Sequence, residues 1–110
     1  MKLLCIICFI FFSVSAFGQT KIKVACVGNS ITEGAAIEEG MRYPAQLQKL
    51  MGDLYEVRNY GIGGRTLLKK GDFPYWQEEK YKEVLAWQPD IVIIKLGTND
   101  SRLPYRNFID

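Results

Sequence analysis

Two stretches of this sequence are nearly continuous runs of apolar, β-forming residues, and each stops at a glycine. Lys21–Val27 (KIKVACV) precedes Gly28, and Asp90–Leu96 (DIVIIKL) precedes Gly97. A strand that is apolar on both faces needs cover on both faces, the situation of a parallel sheet packed between helices. A third run, Leu54–Tyr60, ends at the cluster Gly61, Gly63 and Gly64. Helical patterns separate the runs. In Pro44–Met51 the proline suits a first helical position, Leu47, Leu50 and Met51 share a face, and Gly52 is a stop. Pro74–Trp87 carries the stripe Tyr81, Val84 and Leu85, with Pro89 just beyond. The order β-α-β-α-β, joined by right-handed crossovers, predicts an open α/β fold with a parallel sheet. Ligands of such sheets bind beyond the carboxyl ends of the strands.

Three polar motifs stand at those carboxyl ends: Gly28-Asn29-Ser30, Asn59-Tyr60-Gly61-Ile62-Gly63-Gly64 and Gly97-Thr98-Asn99-Asp100. Ser30 lies where the chain turns out of the first strand, so its hydroxyl can stand over the sheet edge beside backbone N–H groups. Taken alone, Gly-Asn-Ser is equally a plain turn. The pattern G-x-S-x-G fails because Thr32 holds its last position, and no Gly-Lys-Ser/Thr follows to make a phosphate-binding loop. A dinucleotide fingerprint starting at Gly61 fails at Thr66. Gly64 allows a backbone N–H to approach a ligand closely, or is only a turn glycine. Asn99 offers an amide donor, or caps local backbone. Together the Ser30 N–H, the Gly64 N–H and the Asn99 side chain make a candidate three-donor oxyanion hole.

Composition narrows the alternatives. With 14 basic and 12 acidic residues the formal charge is +2, which gives no case for a nucleic-acid partner. The 48% hydrophobic and 24% charged content is that of a folded domain, and 110 residues allow one small domain. There is no histidine among them, which excludes a His-based metal site and a complete Ser–His–Asp relay within these residues. No cofactor and no metal are expected. Lys21, Lys23 and Lys95 offer no substitute base; Lys95 is expected to snorkel or to pair with a carboxylate.

The first residues read as a leader. Lys2 is followed by the apolar run Leu3–Phe12 and by the small or polar residues Ser13, Ser15, Ala16 and Gly18. The run is short of the roughly 20 residues that span a bilayer. We therefore expect residues 1–18 to be a signal peptide cut after Gly18, no stable membrane anchor after its removal, and export to the periplasm or beyond. Cys5 and Cys8 leave with it. Cys26 then has no disulfide partner in the chain and is expected to be a buried small hydrophobe.

The blocks V-G-N-S-I-T-E-G, N-Y-G-I-G-G and L-G-T-N-D resemble the first three blocks of the SGNH (GDSL-type) serine hydrolases, in order and in spacing. The resemblance covers residues 19–110. It implies a flavodoxin-like three-layer α/β/α fold, of which the chain holds strands 1–3 of about five. It implies ester hydrolysis with Ser30 as nucleophile and Gly64 and Asn99 as oxyanion donors. The wording is most similar to exported bacterial members described as sialate or carbohydrate O-acetylesterases, or as lysophospholipase-like. The expected partner is a small-molecule ester, an acylated carbohydrate first of all. A lysophospholipase or thioesterase, or a non-catalytic binding module, are the competing readings.

Three departures accompany the resemblance. Asn29 stands where the family usually has Asp, Arg65 stands where many members are acidic, and the Asp-x-x-His of the last block has no counterpart. The expectation is the N-terminal half of a longer esterase, inactive without its base. Arg65 and Arg102 lie near the expected site, where either is a candidate fork for a substrate carboxylate or a solvated surface arginine. Glu38-Glu39 and Glu78-Glu79 read as solvated faces.

Overall fold

The computed structural model describes residues 18–102. The leader expected over residues 1–18 falls, except for Gly18, outside the described residues. Three parallel strands, β1 (Ile22–Gly28), β2 (Tyr55–Gly61) and β3 (Ile91–Lys95), form one sheet in the order β2-β1-β3. That is the start of the flavodoxin-like order. The helices are a short α1 (Ser30–Glu33), α2 (Tyr43–Met51) and α3 (Glu79–Trp87), with 3₁₀ turns at Glu39–Met41, Tyr75–Gln77 and Asn99–Ser101.

The central strand is the most apolar and the best buried. Val24, Ala25 and Cys26 are fully buried, with β2 on one side and β3 on the other. Helix α2 has proline in its first turn and ends at Gly52, whose φ of 78° is a backbone that side-chain-bearing residues avoid. It also covers the outer edge of β2. The Gln48 amide donates to the Tyr55 carbonyl at 2.9 Å, and its oxygen accepts the Val57 N–H at 2.7 Å. One side chain thereby satisfies backbone groups that an edge strand otherwise leaves open. On the opposite face Ala25, Val27, Tyr60, Tyr75 and Val84 make the core, with Trp87 tilted against Tyr60 at 6.0 Å between centroids.

The structure departs from the sequence expectations in three places. The helix expected over Pro74–Trp87 is broken: residues 75–77 form a 3₁₀ turn, Glu78 is extended (φ −79°, ψ 152°), and helix begins at Glu79. Distant tethers cause the break. The Tyr75 N–H donates to the Thr66 carbonyl at 3.0 Å, and the Tyr75 hydroxyl donates to the Tyr60 carbonyl at 2.6 Å. Second, Leu50 of the expected α2 stripe is 85% exposed. Third, β3 is exposed along its whole length. It is the sheet's other edge, and among the described residues β1 is its only strand neighbour. Among the described residues Lys95 makes no ion pair. Cys26 is buried and free, as expected.

Burial pushes the Cys26 thiol up from its ordinary 9.0, the Tyr43 hydroxyl up to about 12, and the Tyr75 hydroxyl up from its ordinary 10.0. These groups keep their protons in the fold after the unfolded chain has released its own. Stability owed to them is therefore complete below pH 9 and falls as pH rises past 9 and then 10. Tyr75→Phe is expected to flatten part of that alkaline decline. At neutral pH it is expected to cost about 1 kcal/mol through the lost bond to Tyr60. Urea unfolding midpoints of the two proteins at pH 7 and across pH 9–11 test both.

Candidate active site

The ends of the three strands are level. Gly28 pairs in register with Gly61 on one side and with Lys95 on the other. The chain leaves β1 through Asn29, which is 1% exposed. Its side-chain oxygen accepts the Ile31 N–H at 3.1 Å and so caps α1. A neutral amide oxygen performs this cap as an aspartate would, which accounts for Asn29 at that position. Ser30 is the first residue of α1 and is exposed.

Helix α1 is pressed onto the strand ends. A Cβ at Gly28 would collide with the Thr32 side chain and sit 2.9 Å from the Lys95 carbonyl oxygen. A Cβ at Gly61 would lie 2.7 Å from Glu33 Cα and from Thr32 C. Asn59 fastens the contact. Its amide donates to the Thr32 carbonyl at 2.9 Å and to the Glu33 carbonyl at 3.3 Å, and its oxygen accepts the Gly61 N–H at 2.9 Å.

The loop after β2 holds Gly64, with φ at 76°. Several amides of the loop have partners. Ile62 N–H donates to the Gly28 carbonyl, Gly63 N–H to the Glu33 carboxylate at 2.7 Å, and Thr66 N–H to the Phe73 carbonyl. Leu67 and Leu68 N–H donate to the two oxygens of Asp100 at 3.0 and 2.7 Å. Among the described residues the Gly64 and Arg65 amides have none, and neither has the Ser30 amide. Gly63 itself faces Ser30: a Cβ there would lie 3.7 Å from Ser30 Cβ.

Asn99 and Asp100 arrive from the 3₁₀ turn after β3 and are 2% and 8% exposed. The Asn99 amide donates to the Arg65 carbonyl at 2.8 Å, which occupies one of its two hydrogens. Asp100 has no cation in contact among the described residues, so backbone amides alone stabilise its carboxylate. The three residues singled out from sequence are thus brought together: Ser30 lies against Gly63, and Asn99 binds Arg65, on either side of Gly64. A polar hollow bounded by Glu33, Ala35, Arg42, Asn59 and Lys80 adjoins α1, and an apolar groove bounded by Leu67, Trp76, Leu85, Val92 and Ile94 lies between α3 and β3.

Two expectations about side chains are corrected. Glu78 is not a solvated carboxylate: it pairs with Arg65, Nε to Oε1 at 2.7 Å. Arg65 also donates from Nη1 to the Gly63 carbonyl at 3.0 Å, so it is bound within the protein rather than held out to a ligand. Arg102 is exposed. Sequence reasoning assigned no part to Glu33, Asn59 or Asp100, although all three stand inside the blocks that were read.

The profile of the GDSL-like Lipase/Acylhydrolase family matches residues 26–108. An acetylxylan esterase of Xylanibacter ruminicola is 53% identical over 92 residues, which is 82% of this chain and 19% of that protein. The crystal structure of AlinE4, an SGNH-hydrolase family esterase, superposes with a TM-score of 0.56 at 28% identity, covering 77% of this chain and 44% of the other. A variant of the same enzyme superposes equally well. The chain therefore spans about a fifth of the curated relative and under half of the solved esterase. The profile match, the similar sequence and the shared SGNH-hydrolase fold agree: this chain belongs to the GDSL-like lipase/acylhydrolase family.

Proposed function

We propose that this chain supplies the nucleophile and the oxyanion donors of a serine ester hydrolase that removes acetyl groups from carbohydrate esters. One observation carries the reading. Among the described residues the amides of Ser30 and Gly64 have no partner, and Asn99 retains a second hydrogen. Ser30 is exposed, and Gly63, the neighbour of Gly64, lies against it. Donors held fixed before the substrate arrives are what a developing oxyanion requires, and losing one typically costs about 2.7–4 kcal/mol of transition-state stabilisation.

The steps follow from this arrangement. The Ser30 hydroxyl attacks the ester carbonyl, and the carbonyl oxygen takes the negative charge among the Ser30 N–H, the Gly64 N–H and Asn99. The alcohol leaves, and water hydrolyses the acyl-serine. A hydroxyl needs a base to act at neutral pH. The 110 residues contain no histidine, so the imidazole of the usual relay has to come from outside them. The acetyl-carbohydrate preference is supported by the acetylxylan esterase similarity and by the polar hollow beside α1. Export through a leader at residues 1–18 is part of the same proposal, supported by Lys2 and the apolar run after it.

The test uses the full-length protein that carries this chain, on p-nitrophenyl acetate and on acetylated xylan. Ser30→Ala is expected to reduce kcat to background, a loss on the order of 10⁶ in a comparable serine hydrolase. Equal turnover by the two proteins would sink the reading. Asp100→Ala is expected to leave two amides without partners, at about 1–3 kcal/mol each. It should lower both the unfolding midpoint and kcat, with Asp100→Asn intermediate because one amide oxygen replaces two carboxylate oxygens.

A further inference from the structure

We propose that Arg65, held by Glu78, is a positioning residue that aims the Gly64 N–H at the reacting oxygen; the proposal rests on the ester-hydrolase reading above. A trans peptide is planar, and its C=O and N–H point in opposite directions. Whatever grips the Gly63 carbonyl therefore sets where the Gly64 N–H points. That grip is the Arg65 guanidinium, Nη1 to oxygen at 3.0 Å. The peptide needs one, because it joins two glycines and Gly64 stands at φ 76°, so no side chain restrains it.

The guanidinium is itself immobilised. Its Nε donates to Glu78 Oε1 at 2.7 Å, and it lies 5.6 Å from the centroid of the Phe73 ring. The pair is about three-quarters buried on the Arg65 side, at 26% side-chain exposure. A planar fork makes both bonds at once, which a lysine ammonium on a flexible stem does not reproduce. Glu78 is placed by the tethered 3₁₀ turn, where its own N–H donates to the Tyr75 carbonyl at 3.0 Å. The neighbouring peptide groups are pinned as well, the Gly63 N–H by Glu33 and the Arg65 carbonyl by Asn99. With Nε and one Nη engaged, Arg65 does not present an open two-pronged fork to a substrate carboxylate.

The experiment compares Arg65→Ala, Arg65→Lys and Glu78→Gln in the full-length protein. Kinetics on the neutral ester p-nitrophenyl acetate, inhibition by phenylboronic acid, unfolding midpoints and an Arg65→Ala crystal structure are the readouts. A misaimed donor should cost less than a deleted one, so kcat is expected to fall about 10–100-fold in Arg65→Ala with KM within about twofold. Boronic acid affinity should weaken in parallel, Arg65→Lys should not rescue, and Glu78→Gln should fall in between with an unchanged midpoint. Unchanged kcat in Arg65→Ala and Glu78→Gln would overturn the proposal, and so would a loss confined to KM. Wild-type protein without Ser30-dependent turnover would defeat the hydrolase reading instead. The Gly63–Gly64 peptide in the Arg65→Ala crystal then still decides the brace: a rotated peptide supports it, and an unmoved one overturns it.

Discussion

The close seating of α1 on the ends of β1 and β2 is the contact on which the rest of this structure depends. Gly28 and Gly61 face each other in the sheet register, and α1 occupies the space that their side chains would have filled. Thr32 and Asn59 complete the joint, one fully buried against Gly28 and the other bonded to two α1 carbonyls. A four-residue helix has no stability of its own. It persists because Asn29 caps its start, Gly34 turns the chain out at φ 64°, and Asn59 takes up its last carbonyls. The exposed serine is therefore mounted on the sheet itself and not on a free loop.

Beyond that joint, the region around Gly64 is built almost wholly from polar groups that meet across long separations in sequence. Glu33 reaches Gly63, Asn99 reaches Arg65, and Asp100 reaches Leu67 and Leu68. Each is a charged or amide side chain satisfying backbone, the arrangement that makes a buried polar cluster tolerable. The amides of Gly63, Leu67 and Leu68 are thereby held, while that of Gly64 between them has no partner among the described residues.

Much of the scaffold was readable without coordinates. The three apolar runs, their glycine stops and the intervening helices follow from periodicity, and each strand lies within about a residue of its expected span. The glycine-marked motifs stand together at one end of the sheet, because a strand end is where a polar residue and a glycine coincide. The rest was hidden for a definite reason: it depends on partners far away in the chain. Pro74 reads as a helix start, but the bonds that break the helix come from Thr66 and Tyr60. Glu78 reads as solvated beside Glu79, and only the return of the loop brings Arg65 to it. The run Ile91–Ile94 reads as covered on both faces, yet among the described residues it is the exposed edge of the sheet. A pattern of apolar residues records that a strand wants cover, not which segment provides it.

The strand order also has a bearing on synthesis at the ribosome. The middle strand of the sheet, Ile22–Gly28, is made before either of its neighbours, and the strand that flanks it first begins at Tyr55. Parallel pairing waits on a crossover, so this apolar segment has to travel unpaired while some 26 intervening residues are translated. Nascent chains with such a segment are the ones that holdase chaperones shield from mispairing. Of the three strands, the one that needs two partners is therefore made ahead of both of them.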